Sequence, residues 1–90
     1  MRMYVIEREI PKVGSKSAQE LREAAAASND ALKTLAPRIQ WQHSYVAGGK
    51  TFCVYLAEDA SVIEEHSHLS GFPANKVTEI KRTIDPTTAR

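Results

Sequence analysis

The chain has 90 residues, 42% of them hydrophobic and 26% charged, a composition that builds one apolar core and excludes both a disordered chain and a second domain. Its 12 basic and 11 acidic side chains nearly cancel, so no strong field is present to hold a phosphate backbone or an anionic membrane, and no basic stripe with interleaved aromatics points to nucleic acid. A chain this short buries only about 60–65% of the surface its unfolded form exposes, which leaves an apolar face for a second copy to cover.

Residues 3–8, MYVIER, are rich in β-branched and aromatic side chains and read as a first strand, ended by Pro11 and Gly14 in IPKVGS. No charged start with a long apolar run precedes it, so neither a signal peptide nor a membrane span is expected, and the expected location is cytoplasmic. The single cysteine, Cys53, fits a reducing compartment and allows no internal disulfide. Ser17-Ala18-Gln19-Glu20 has the spacing of a capping box, in which the serine oxygen takes an early helix N–H and the glutamate reaches back to the cap. A long helix follows, with Leu21, Ala24, Ala25, Ser28, Ala31, Leu32 and Leu35 on one face, and Pro37 ends it. The short alanines from 24 to 27 let this helix lie close to a sheet.

IQWQHSYVAGGKTFCVYLA then gives two strands joined by Gly48-Gly49, glycines that tolerate the positive φ of a tight hairpin. A two-residue loop pairs Val46 with Thr51, Ser44 with Cys53 and His43 with Val54. Asp59 is placed to cap a second helix, ASVIEEHSHLS, which Gly71 and Pro73 stop. NKVTEIKRTID supplies the last strand, with Val77, Ile80 and Ile84 among polar neighbours. The order β-α-β-β-α-β predicts a ferredoxin-like α+β sandwich over residues 1–90, an antiparallel four-stranded sheet with both helices on one face. The third strand, TFCVYLA, is apolar on both of its faces, so a homodimer built sheet to sheet is expected.

Three histidines carry the candidate chemistry. His66 and His68 point about 200° apart on a regular helix and cannot chelate one ion. His66 shares the face of Val62, Ile63 and Leu69, whereas His68 lies among polar residues. Alternation along the second strand places His43 on the face of Trp41 and Tyr45. That strand runs in the same sense as the second helix, which sets His43 and His66 at similar heights and allows a shared site between sheet and helix. Imidazoles suit nickel, zinc or copper, and Glu7 is the carboxylate nominated to complete such a shell. The alternatives are a core histidine hydrogen-bonded to its surroundings, and a Glu7 paired with Lys81 or another neighbour of Glu79 across the open face. Cys53 reads as a small buried hydrophobe. No Gly-rich phosphate loop opens a helix, and no catalytic triad can be assigned.

YVIEREIP, WQHSYV, KTFCVYLAED and EEHSHLSGFPANKVTEIKRTIDPTTA together resemble a family of small bacterial proteins, long known as a domain of unknown function, that includes a nickel-binding, nickel-responsive branch. The resemblance implies a ferredoxin-like fold, a homodimer and, in that branch, a metal held by histidines and carboxylates. His43 matches the histidine of the WxHSY strand and His66 the helix histidine ahead of GFPA. The chain departs at Glu7-Arg8-Glu9, where the nickel-binding branch has histidines; arginine cannot ligate, and glutamate is a harder ligand. The leading expectation is therefore a protein that binds a divalent transition metal, nickel first and zinc second, for sequestration or response rather than catalysis. The rival is an enzyme or small-ligand binder on the same dimeric scaffold, similar to the cofactor-free ferredoxin-like monooxygenases, with Trp41, His43 and Tyr45 lining its pocket.

Overall fold

The computed structural model describes residues 1–90. Strand β1 spans Arg2–Glu9, and its side chains alternate strictly: Tyr4, Ile6 and Arg8 are buried while Met3, Val5 and Glu7 are half-buried on the other side. A short 3₁₀ turn at Val13–Ser15 leads to helix α1, Ala18–Leu35. The capping box forms as its spacing predicts: Glu20 N–H donates to Ser17 Oγ at 3.1 Å and Ser17 N–H donates to Glu20 Oε1 at 3.0 Å. The expected apolar face of α1 turns inward, with Ser28, Ala31 and Leu35 buried and Leu21, Ala24, Ala25 and Leu32 half-buried.

Strand β2, Ile39–Val46, and strand β3, Lys50–Ala57, form the hairpin. The expected pairs Val46↔Thr51, Ser44↔Cys53 and His43↔Val54 are all present. Neither Gly48 nor Gly49 takes a positive φ, contrary to expectation. The close approach falls instead at Gly14, which donates to Gly48 O at 3.0 Å. A Cβ at Gly14 would stand 2.5 Å from Ala47 O and 2.9 Å from Gly48 Cα. Both are backbone atoms of a tight turn, so Gly14→Ala is expected to lower stability by about 1–3 kcal/mol, the range for overpacking. Gly48→Ala, whose Cβ meets nothing within 4 Å, should leave the urea midpoint nearly unchanged.

Helix α2 spans Ala60–Ser70, begins at the Asp59 cap, which accepts from Ser61 and Val62 N–H, and ends at Gly71 with φ 79°. That left-handed φ suits glycine because no Cβ opposes it. Strand β4 is shorter than expected, Lys76–Ile80. Its pairing with β1 ends at Met3↔Ile80, so Ile84 has no strand to join and is 78% exposed. The sheet order is β2-β3-β1-β4, every neighbour antiparallel, which is the ferredoxin-like α+β arrangement.

The core lies between this sheet and the two helices and holds Tyr4, Ile6, Ile39, Tyr55, Val62 and Ile63 among others. Fully burying an isoleucine contributes about 1.5–3 kcal/mol, so Ile6 and Ile63, neither with any exposed surface, are principal fastenings. The opposite sheet face carries Met3, Val5, Phe52, Val54 and Leu56 with no helix over it. No helix is long and apolar enough to cross a membrane.

Candidate functional site

His66 sits on α2 at the spacing that also buries Val62 and Ile63, and its ring has no exposed surface. Leu69, expected on the same stripe, is 54% exposed because α2 ends one residue later, past the edge of the core. The His66 Nε2 lies 3.1 Å from the Ser28 hydroxyl across the α1–α2 contact, and Nδ1 has no partner. Tyr55 packs against the ring with centroids 5.4 Å apart. Burial, and then the positive charge of Arg8, hold the imidazole below its ordinary pKa, so it is neutral at neutral pH. No carboxylate or second imidazole joins it.

His43 lies elsewhere. The register of β2 against β3 breaks between Trp41 and His43, and a bulge of this kind adds one residue and reverses the faces beyond it. Trp41 pairs with Tyr55 and faces the helices, whereas His43 pairs with Val54 and Tyr45 with Phe52, both on the open face. His43 is therefore not on the face of Trp41, and the sheet separates it from His66. This overturns the shared site between sheet and helix, and with it the pocket lined by Trp41, His43 and Tyr45 together. His43 stands edge-on to Tyr45, ring centroids 5.1 Å apart.

Glu7 is on the open face too, paired with Phe52 across β1 and β3. Its carboxylate lies 3.8 Å from Lys50 Nζ and 4.0 Å from Lys76 Nζ; Lys81, the expected partner, pairs instead with Glu79 at 2.9 Å. Strand β3 lies between Glu7 and His43. No three His, Cys, Asp or Glu side chains converge anywhere in the chain, so His43, His66 and Glu7 do not form a metal site within one protomer.

The residue that the sequence reading undervalued is Arg8. It follows Tyr4 and Ile6 on the inward side of β1 and is only 3% exposed. Its Nη1 donates to Pro73 O at 2.7 Å and Phe72 O at 3.3 Å, and the Ser67 hydroxyl also donates to Phe72 O. Its Nη2 has no partner. Arg8 forms part of the wall of a cavity of about 260 Å³ between the first half of α1 and the hairpin end of the sheet. Ala24 and Ala25 line that cavity: at this end, small side chains on α1 leave space above the sheet instead of closing onto it. The indole of Trp41, held by a 2.9 Å hydrogen bond to Ser44 Oγ, lines it as well. Cys53 is buried as expected, 3.6 Å from Thr51 Oγ1. Burial pushes the Tyr55 hydroxyl up from its ordinary pKa, so it stays protonated at neutral pH.

Comparison with known proteins places this geometry in context. Residues 4–80 match the family described as nickel responsive protein SCO4226-like. The crystal structure of SCO4226 from Streptomyces coelicolor A3(2) superposes with a TM-score of 0.76 at 13% identity, over 91% of this chain and 99% of that one. At that identity the likeness is one of fold. A search of curated proteins finds no match.

Proposed function

The chain belongs to the nickel-responsive SCO4226-like family, and from that premise we propose that it is a cytoplasmic homodimer that binds a divalent transition metal, nickel first, for sequestration or response rather than for catalysis. The observation that carries this reading is His43, an exposed imidazole on a sheet face that no helix covers and that also bears Glu7. Imidazole nitrogen is a good donor for nickel and zinc. One protomer offers too few donors, so the reading requires the open faces of two copies to pair about a two-fold axis, each contributing the same residues. Met3, Val5, Phe52 and Val54 supply the apolar area for that pairing. His66 is left out of the ligand set, because it is buried beside the cation Arg8 and a metal ion there would meet like charge.

Calorimetric titration with nickel, alongside sedimentation equilibrium, tests both halves. The parent protein is expected to bind nickel saturably as a dimer. Since removing even an outer-shell partner of a metal site costs about 10–100-fold in affinity, His43→Ala should weaken binding by at least that much, and His66→Ala should leave it in place. Equal nickel affinity in the parent and His43→Ala overturns the site, and a monomer at all concentrations overturns the dimer.

A further inference from the structure

Arg8 poses a physical problem that the metal reading does not touch. Isolated charges are taken out of water only at a cost of several kcal/mol, and native proteins offset it with a counter-ion. A guanidinium has five N–H donors and cannot escape by giving up its charge as a lysine can. Arg8 nevertheless takes part in none of the ion pairs of the chain. Two backbone carbonyls satisfy one nitrogen, and Nη2 is left without a partner. The cavity beside it has 15 lining residues, 10 of them hydrophobic, and none is Asp or Glu. A second cation, Lys16, lines it as well, though its ammonium also lies 3.9 Å from the Glu20 carboxylate. The polar remainder is Ser28, Ser44 and Thr51, which carry neutral hydroxyls, and Tyr55, one of the ten hydrophobic residues, adds its own.

We propose that this cavity binds a small apolar carboxylate, its carboxylate accepting from Arg8 and its hydrocarbon part lying among Leu21, Ala24, Ala25 and Trp41. The missing partner of a buried guanidinium is an anion, and carboxylate matches its fork geometry. The apolar lining selects the rest of the molecule. A phosphate dianion fits less well: Arg8 and Lys16 match its charge, but a lining of 10 hydrophobic residues in 15 offers its oxygens few further donors, and phosphate brings no hydrocarbon to pack against them. A metal cation would meet two like charges and no carboxylate. The volume is sufficient: an engineered apolar cavity of about 150 Å³ takes up benzene, and this one is about 260 Å³. The site is independent of His43, which lies across the sheet.

Trp41 is the only tryptophan and lines the cavity, so its fluorescence reports occupancy directly. The probes are octanoate, octan-1-ol and inorganic phosphate, each titrated into chelator-treated protein. Octanoate is expected to shift Trp41 emission saturably and to bind about tenfold or more tightly than octan-1-ol, reflecting a charge-assisted hydrogen bond; phosphate should give no signal. Arg8→Met should bring octanoate down to the affinity of octan-1-ol, and Ala25→Phe, which fills the cavity and keeps Arg8, should abolish both. Circular dichroism shows whether each variant is folded, and the octanoate–octanol difference in the parent decides the matter without either of them. Equal binding of octanoate and octan-1-ol overturns the proposal. So do phosphate binding as tight as octanoate, octanoate binding that persists in Ala25→Phe or requires added nickel, and no binding at all. The nickel titration is read separately, so failure of one reading leaves the other standing.

Discussion

Arg8→Met is expected to raise the melting temperature of the unliganded protein. The methionine stem can follow much of the path of the arginine, and the desolvated charge is removed. Little is orphaned in exchange: Phe72 O still accepts from the Ser67 hydroxyl, and Pro73 is exposed, so its carbonyl can turn to water. The guanidinium lies 6.0 Å from the Tyr55 ring centroid, the outer limit of a cation–π contact, which forfeits about 0.5–1 kcal/mol. Replacing buried ionic groups by apolar ones of similar volume stabilises other proteins by about 1–4 kcal/mol. In a domain of this size each kcal/mol shifts the midpoint by roughly 4–8 °C, so calorimetric scans of the two proteins resolve the effect. Saturating octanoate should narrow or reverse the difference, because it stabilises only the form that binds it tightly. A variant that melts lower than the parent both with and without octanoate would mean that Arg8 is a structural fastening to the Phe72-Pro73 turn.

These effects belong to one division of the molecule. The sheet separates two chemistries: an open face with a free imidazole and a lysine-flanked carboxylate, and a helix-covered face with a cation, a neutral imidazole and an apolar space. Metal reading and anion reading occupy different sides of the same four strands, which is why neither excludes the other.

Much of this was legible in local patterns. The Ser17–Glu20 box, the inward stripe of α1, the hairpin register and the Asp59 and Gly71 caps all follow from residue types at fixed short spacings, and the element order carries the topology. The face of His43 was not legible from Trp41, because alternation holds only in an unbroken strand and the irregularity at Gln42 leaves no mark in WQHSY. The hairpin register does carry it, since pairing His43 with Val54 turns it to the face away from Cys53. The end of β4 was hidden for a different reason: TEIKRTID is strand-like throughout, and only the extent of β1 decides where pairing stops. Arg8 was visible in principle, for period-two alternation from Tyr4 and Ile6 points it inward, but an inward arginine reads as noise until a cavity without a carboxylate is found beside it.

Mild acid should destabilise the protein through His66. In the unfolded chain its imidazole takes up a proton near its ordinary value of 6.5, whereas in the folded protein burial, then Arg8, oppose that proton, with the Ser28 contact acting weakly the other way. The unfolded state therefore binds more protons in this range, so stability is full above about pH 6.5 and falls as the pH drops toward the lower folded value. The slope from one such group cannot exceed about 1.4 kcal/mol per pH unit. The carboxylates whose values are lowered, Glu20, Asp59, Glu79 and Asp85, start from 4.5 or below and act only at more acid pH. Urea unfolding of the parent and of His66→Gln at about pH 7 and about pH 5.5 isolates the contribution, because glutamine can still reach Ser28 and does not titrate. The parent should lose midpoint between the two conditions and His66→Gln should lose markedly less, whatever its own stability at neutral pH. Equal losses in the two proteins would place the acid sensitivity elsewhere and return His66 to the role of a packing residue that accepts its proton without strain.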